Sequence, residues 1–365
     1  MFVNFNFSKS SKEINGDIQY QINLIKYLKN NHYKICEGNF GFNTILSKLT
    51  LLLGKILIKN FSFNNFFNIL ITLIYRNFNY SFKKNYDIIF SHYFFPFLKK
   101  KKIIIFSSMG VVYKKYFKEY KNLINFESDI YFHKYIDKKY NVIFLIWDKK
   151  FAIRTKKICD IRSPIKILPP VLNINESENK NIKTASSKNI KLLFIGRNEN
   201  IKGLNYLLEA INDEKLIKYN FELNIVTSKK IFSTNKKINF YNDIDENFKN
   251  KLLKKADIFI LPTLADTFGY SLLEAIAYKC AIITTNFYPI NKFCLINKNG
   301  FLIRPKKSID IVKYLNILLK DRKKIKTFKE NSFKLYKKKY SQQLFKKKFN
   351  NIINEIKKNS ISSDI

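Results

Sequence analysis

The stretch KLLFIGRNENIKGLNYLLEAI, residues 191–211, sets our expectation of the fold. A short apolar run ends at Gly196, a polar loop carries Arg197 and Lys202, and apolar residues then recur at helical spacing. A strand, a loop and a helix in this order form the unit from which parallel α/β sheets are built. The loop also suits an anion, because a helix N-terminus offers unbonded N–H groups and Arg and Lys donate charge-assisted bonds to phosphate oxygens. Taken alone, the same pattern also fits an ordinary solvated loop.

A second stretch, DIFILPTLADTFGYSLLEAIAYKCAIITTN at 257–286, repeats this arrangement. An apolar run ends at Pro262, the next residues include Asp266 and Gly269, and a helix is expected to begin near Ser271. Glycine at such a place lets the backbone approach a ligand closely. Ser271 and Glu274 also have the spacing of a capping box, in which Glu274 would only bond backbone N–H groups of its own helix.

Short apolar runs alternate with helical patterns along both halves of the chain, which predicts parallel strands covered on both faces. A polar segment at 174–189 separates the halves and is interpreted as a linker. We therefore expect an α/β fold of two tandem Rossmann-like domains facing a cleft. The expected boundaries are 1–175 for the first domain, 190–335 for the second and 336–365 for a helical tail.

Composition excludes several classes of protein. The 365 residues include 67 Lys and Arg against 28 Asp and Glu, a net charge of +39, yet 46% are hydrophobic and 16% aromatic. A disordered polycation lacks such aromatic content, so folded domains are expected. Four scattered cysteines argue against a disulfide scaffold and against a zinc site, so no bound metal is expected.

The excess of positive charge is almost entirely lysine, because only six of the 67 basic residues are Arg. Lys, Asn, Ile, Phe and Tyr share A/T-rich codons, so a compositional bias explains much of the charge. The functional alternative is an anionic partner. The scarcity of Arg argues against nucleic acid, whose recognition relies on bidentate Arg contacts, and leaves an anionic membrane surface as the better candidate.

Two segments of the first half are apolar enough to raise the question of a membrane. Residues 60–75 are uncharged but too short and too rich in Asn to span a bilayer, and residues 44–58 contain two Lys. They are either buried helices or helices that lie on a membrane surface. The N-terminus also lacks the basic and apolar regions of a signal peptide. We therefore expect a cytoplasmic protein, peripheral on the inner face of the cell membrane.

Together, the two quoted stretches resemble the retaining glycosyltransferases of family 4, the GT-B "group 1" glycosyl transferases. The resemblance rests on Gly196-Arg197, Lys202-Gly203, Pro262-Thr263, Phe268-Gly269 and Glu274-Ala275, and it covers roughly 190–305. The resemblance also implies that a C-terminal helix crosses back to the first domain. The first half fits only as a pattern. There, FSKSSKEINGD (7–17) stands in place of the family's glycine-containing first loop, and DIIFSHYFFP (87–96) resembles its strand ending near a His.

The resemblance implies roles for individual residues. Arg197 and Lys202 would hold the diphosphate of a nucleotide-sugar donor, and Glu274 would bond its ribose. Asp266 would lie by the donor sugar, and the backbone of Phe268, Gly269 and Tyr270 would approach the donor. The two cations and a helix N-terminus would neutralise the leaving diphosphate without a metal or other cofactor.

The chain departs from the family pattern near the expected reaction centre. The family usually has Glu where this chain has Asp266, and many members have a His on the strand matching 102–108, which here ends in Ser107-Ser108. His92 is a further candidate site residue, although a His at a strand end is often structural. Gly16 is the candidate donor-contacting glycine of the first loop, or a plain turn residue.

The favoured function is transfer of a sugar from a nucleotide-diphosphate sugar to a glycan or lipid-linked acceptor, in the synthesis of cell-surface polysaccharide or glycolipid. One alternative is a sugar-nucleotide epimerase of GT-B type. Another is a non-enzymatic basic protein that binds membrane or nucleic acid, for which binding would collapse with salt.

Overall fold

The protein divides into two compact units in a computed structural model. The first contains residues 1–173 and 342–365, and the second contains residues 174–341. The structure describes residues 2–4, 16–33, 36–38, 88–92, 103–108, 110, 126–174, 189–228, 231, 234–242 and 244–361. The apolar segments at 44–58 and 60–75 lie outside the described residues, and so does most of the expected linker.

The first unit is a parallel sheet with helices between its strands. Its described strands follow the order β2-β1-β3-β4-β5-β6 across the sheet. The chain therefore reverses direction across the sheet at β1, which pairs in parallel with both β2 and β3. The elements are β1 (Phe2–Asn4), α1 (Gly16–Asn30), β2 (Cys36–Gly38), β3 (Ile88–His92), β4 (Ile103–Ser108), α2 (Phe126–Lys139), β5 (Val142–Ile146), α3 (Lys149–Cys159) and β6 (Ile165–Ile167).

The core of this unit lies between the sheet and its helices. Leu24 and Leu28 of α1 are buried, and so is Phe144 of β5. β5 is buried along nearly its whole length because a parallel strand is covered on both faces. Helix α3 begins after Asp148, whose carboxylate accepts a bond from Lys150 N at 2.8 Å.

The second unit is a six-stranded parallel sheet in the order β12-β11-β10-β7-β8-β9. The elements are β7 (Ile190–Ile195), α4 (Glu199–Lys202), α5 (Leu204–Ile211), α6 (Glu214–Ile217), β8 (Phe221–Thr227), β9 (Ile238–Asn242), α7 (Glu246–Lys255), β10 (Ile258–Leu261), α8 (Tyr270–Ala277), β11 (Ala281–Thr285), a 3₁₀ turn (Ile290–Phe293), β12 (Gly300–Ile303), α9 (Ser308–Lys320) and α10 (Arg322–Tyr340). This is the strand order of a Rossmann fold. The predicted fold class is therefore confirmed.

The strand order positions the two motif stretches side by side. β7 pairs with β8 on one side and with β10 on the other, so the order of the chain reverses between β7 and β10. Ligands of open α/β sheets bind outside the carboxyl ends of the strands at such a switch point. Gly196 follows β7 and Pro262 follows β10, so both quoted loops leave the sheet there.

Two features of the second half differ from the sequence interpretation. Asn299-Gly300 is typical of a turn, but β12 begins at Gly300 and pairs with β11. A Cβ at Gly300 would lie 2.0 Å from the carbonyl oxygen of Ile282, so glycine permits close strand pairing here. The other difference is β9, which the sequence analysis did not identify.

The Lys-rich C-terminal stretch forms three helices. α9 ends before Asp321, whose carboxylate accepts a bond from Lys324 N at 2.9 Å and caps α10. α10 continues to Tyr340, so the expected start of the tail at residue 336 lies inside this helix. Ser341, in extended backbone conformation, then separates α10 from α11 (Gln342–Ile361).

The last helix belongs to the first unit, as predicted. The hydroxyl of Tyr33 donates to Asn350 Oδ1 at 2.9 Å, and the ring of Tyr27 meets that of Phe345 edge-on. Lys166 of β6 also pairs with Glu355 at 2.6 Å. Among the described residues, no helix combines the length and the apolar character needed to cross a membrane.

Candidate active site

The first motif loop is shaped by two glycines that let other groups pack closely. A Cβ at Gly196 would lie 2.9 Å from Cβ of Lys202, so the stem of that lysine covers the glycine. Gly203 has a φ of +74°, and a Cβ there would lie 2.1 Å from the carbonyl oxygen of Pro262. Lys202 was expected in an open loop, but it is the last residue of the short helix α4, which starts after Asn198 in a left-handed conformation. Gly196 and Gly203 therefore permit the close packing that sets the position of Lys202.

The two motif loops are bonded to each other through their backbones. The carbonyl oxygen of Ile201 accepts a bond from Leu264 N at 2.7 Å and another from the hydroxyl of Thr263 at 3.2 Å. The Thr263 hydroxyl also lies 2.7 Å from the carbonyl oxygen of Ala265. These bonds hold the loop of Lys202 against the loop of Asp266.

An ion pair links the side chains of the two loops. Lys202 Nζ lies 2.5 Å from Asp266 Oδ2, and the side chains are 19% and 11% exposed. Burial alone would raise the pKa of Asp266, but the ammonium of Lys202 and two backbone N–H groups outweigh it, so the pKa lies below its ordinary value. Asp266 is therefore an anion that Lys202 holds in place.

Asp266 also shapes the turn that leads into α8. Its Oδ1 accepts bonds from Phe268 N at 3.1 Å and Gly269 N at 2.9 Å. Gly269 has a φ of +87°, which other residues rarely adopt, and it precedes the first residue of the helix, Tyr270. Phe268 is buried against Phe293, and Lys292 Nζ lies 4.1 Å from the centre of the Phe268 ring.

Glu274 does not cap its own helix, so the capping-box interpretation is wrong. α8 begins at Tyr270, one residue before Ser271, and no side chain caps it. The carboxylate of Glu274 instead accepts a bond from Lys249 Nζ at 2.6 Å. Glu274 is 7% exposed and is therefore buried. It lies in α8, which begins at the edge of the sheet that carries Asp266.

The remaining predicted site residues are distributed over both units. Arg197 follows Gly196 directly at the end of β7 and is half-buried. Gly16 is the first residue of α1, the helix that follows β1, and His92 is the last residue of β3. Gly16 and His92 thus lie at the switch point of the first unit's sheet, and their roles stay predictions.

Residues that the sequence analysis did not single out also contact the site. Lys249 belongs to α7 and is connected to the motif by its pairing with Glu274. Glu199 is buried beneath the first loop, where its carboxylate accepts bonds from the hydroxyls of Thr227 and Ser228 at the end of β8. No local pattern indicates either contact, because the partners come from different strands and helices.

β4 ends in two serines, at the place where many members of the resembled family have His. Both serines make contacts within the first unit. The hydroxyls of Ser107 and Tyr20 lie 3.0 Å apart, and burial raises the pKa of Tyr20 to about 12. Ser108 Oγ lies 3.2 Å from Nε2 of the buried His133 and accepts a bond from Gly110 N. Among the described residues, no group of three His, Cys, Asp or Glu side chains is placed to hold a metal ion.

Comparison with known families identifies the second unit. Residues 175–335 match the family described as glycosyl transferases group 1. The second unit is therefore similar to the domain of group 1 glycosyltransferases. The match favours a glycosyltransferase over an epimerase or a non-enzymatic basic protein. No curated protein sequence matches the chain.

Solved structures extend the similarity beyond the glycosyltransferase domain. HepE (Alr3699) of Anabaena, in complex with UDP-glucose, is 11% identical, with a TM-score of 0.63 over 97% of this chain and 99% of that one. WaaG, a glycosyltransferase involved in lipopolysaccharide biosynthesis, is 13% identical, with a TM-score of 0.59 over 93% and 95%. Sucrose-phosphate synthase of Thermosynechococcus elongatus is 14% identical, with a TM-score of 0.58 over 74% of each chain. Both units therefore share the GT-B fold of these proteins.

Proposed function

We propose that the protein transfers a sugar from a nucleotide-diphosphate donor to a glycan or lipid-linked acceptor, with retention of anomeric configuration. One observation carries this proposal. The two motif loops meet at the switch point of the second sheet, where the Lys202–Asp266 ion pair joins them. A ligand is expected at this place in an open α/β sheet, and the groups there are those that a sugar nucleotide requires.

The diphosphate of the donor would bind beside Arg197 and Lys202. Breaking the bond between sugar and diphosphate concentrates negative charge on the leaving group, so fixed cations stabilise the transition state. Lys202 is suited to this role because Gly196 and Asp266 already hold its side chain in place. Less side-chain freedom is then lost when the donor binds. In this proposal the two cations neutralise the diphosphate, and the reaction needs no metal.

The acids would orient the other parts of the donor. Glu274 would accept bonds from ribose hydroxyls, and Asp266 would face the donor sugar across the Phe268–Tyr270 turn. Asp266 is one methylene shorter than the usual Glu, but the two backbone bonds to its Oδ1 fix its direction. Orienting the donor in this way holds the anomeric carbon where the acceptor attacks.

The acceptor and the location of the enzyme are proposed from composition. A net charge of +39 that consists mainly of lysine would hold the enzyme on the anionic inner face of the cell membrane. A lipid-linked or surface glycan acceptor would be reached there. WaaG is named for lipopolysaccharide biosynthesis, which supports a glycan or glycolipid acceptor for this chain too.

The donor assignment is tested by substituting the two cations. We expect Arg197→Ala and Lys202→Ala each to weaken binding of UDP or GDP by about 10- to 100-fold, the value of one charge-assisted bond. Isothermal titration of both nucleotides measures this, and UDP is the first choice because HepE was solved with UDP-glucose. Lys313→Ala is the matched control, since Lys313 is an exposed lysine on α9 of the same unit. Unchanged nucleotide affinity in both site variants would contradict the assignment.

A further inference from the structure

Lys249 forms a largely buried ion pair that the proposed chemistry does not yet use. Its Nζ lies 2.6 Å from Glu274 Oε1, and the two side chains are 16% and 9% exposed. The pair joins α7 to α8, two helices separated in sequence by the buried strand β10.

The position of Lys249 follows from its place in α7. The helix begins after Asp245, whose carboxylate accepts a bond from Phe248 N at 2.7 Å, so Lys249 lies near its start. In a parallel sheet, a helix that follows a strand starts at the carboxyl edge of the sheet. α7 follows β9 and α8 follows β10, so Lys249 and Glu274 both lie at the edge that carries Asp266.

The geometry leaves part of the Glu274 carboxylate for a ligand. Lys249 bonds Oε1, and none of the described residues donates to Oε2. A carboxylate held through one oxygen presents the other in a defined direction.

A structural role does not by itself require such a pair, although Lys329 and Asp257 form one elsewhere in this unit. Burying two charges costs several kcal/mol per ion before their attraction offsets it, and apolar side chains of similar size commonly stabilise a fold as well or better. Lys251 on the same helix shows that the chain can leave a lysine in solvent there. A buried pair beside an expected ligand site therefore has a functional explanation.

We propose that Lys249 is a positioning residue that fixes the ionised carboxylate of Glu274, so that Oε2 accepts a hydrogen bond from a ribose hydroxyl of the nucleotide. This inference rests on the proposed function, because it assigns Lys249 to the nucleotide part of the same site. Lys249 acts through Glu274 and makes no contact with the nucleotide itself. It therefore sets how strongly the enzyme prefers ribonucleotides.

The test measures the affinity of UDP and GDP beside their 2′-deoxy and 3′-deoxy analogues. We expect the wild type to bind one ribonucleotide about tenfold or more tightly than its deoxy analogue, because a hydrogen bond to a charged group is lost. Lys249→Met should abolish most of this preference, and Lys249→Gln, which keeps a donor without the charge, should retain part of it. Lys251→Met is the matched control and should leave the preference unchanged.

A double variant separates positioning from direct contact. If Lys249 acts only through Glu274, Lys249→Met should not change the preference further in a Glu274→Gln background. A further loss in that background would overturn the proposal by showing that Lys249 touches the ligand. The proposal is also wrong if Lys249→Met keeps the wild-type preference for the ribonucleotide. If Lys249→Met does not fold, an unchanged preference in Lys249→Gln would overturn the proposal instead. A wild type that binds no nucleotide would instead contradict the proposed function.

Discussion

Asp266 shows how one side chain can serve both the fold and the candidate site. Its Oδ2 pairs with Lys202 and its Oδ1 accepts two backbone N–H bonds, so the carboxylate connects the first motif loop to the start of α8. Burial opposes the charged form, but these donors outweigh it and lower the pKa. The unfolded chain lacks these partners, so the difference in pKa between the two states links stability to pH.

We predict that Asp266→Asn lowers the free energy of unfolding by about 1–3 kcal/mol near neutral pH, because a buried charged hydrogen bond is lost. Since the folded pKa lies below the ordinary value of 3.8, the stabilisation is present above that value and disappears as the pH falls through the folded pKa. The wild type should therefore lose more stability on acidification than the variant. Urea unfolding of both proteins from about pH 6 to about pH 3 measures the difference.

The exposed acid Glu214 supplies the control for this prediction. Glu214→Gln should follow the wild type over the same range of pH. Parallel losses of stability in the wild type and Asp266→Asn would mean that the pair with Lys202 does not stabilise the folded state.

The loops and helices around β7 and β10 are held in place mainly by backbone contacts. Gly203 packs on the Pro262 carbonyl, and the Ile201 carbonyl accepts two bonds from the facing loop. At the opposite edge of the sheet, Lys329 of α10 donates to the Ala256 carbonyl at 3.0 Å and to Asp257 Oδ1 at 2.7 Å. This buried lysine ties a helix to the sheet and shows that part of the basic composition serves the fold.

We predict that Gly203→Ala destabilises the protein by about 2 kcal/mol or more, because the new Cβ meets the Pro262 carbonyl and the left-handed backbone disfavours alanine. The same change should weaken nucleotide binding, since Lys202 is the neighbouring residue. Urea unfolding and nucleotide titration measure the two effects.

The control is Asn200→Ala, because Asn200 is an exposed residue of α4, the short helix that ends just before Gly203. It should have a small effect on stability and on nucleotide binding. Wild-type stability in Gly203→Ala would show that the two loops do not need this close approach.

The sequence predicted elements well where burial follows a simple period. The strand that ends before Gly196 and the helix that begins near Ser271 lie where the pattern indicated, because most residues of β7 and of α8 are buried. β12 was missed because its four residues follow Asn299-Gly300, which is also typical of a turn. The breaks at Asp321 and Ser341 were missed because apolar spacing continues on both sides of each.

Over the whole molecule, the net charge of +39 comes mostly from lysines outside the candidate site. Lys202, Lys249 and Lys329 are each paired with an acid inside the second unit. The acids are too few to balance the rest, since 28 Asp and Glu face 67 Lys and Arg. The remaining charge creates a positive potential that attracts anionic surfaces.

We predict salt-sensitive binding to anionic membranes. The protein should float with vesicles that contain about 30% phosphatidylglycerol at about 0.1 M salt and detach at about 1 M, where charges are screened beyond a few ångströms. It should not float with vesicles of phosphatidylcholine alone. Flotation that is equal on neutral and anionic vesicles, or absent from both, would contradict a role of the charge in membrane binding.

Local pattern was sufficient for the α/β class and the two halves of the chain, and the family resemblance added the return of the last helix. Local pattern did not contain the partners of the residues in the two motifs. Lys202 meets Asp266 across 64 positions because β10 lies beside β7 in the sheet, and Lys249 meets Glu274 across 25 positions because their helices pack at the same edge. The periodicity of apolar side chains indicates which residues are buried, but the order of the strands determines which buried residues meet. Only the folded sheet specifies that order.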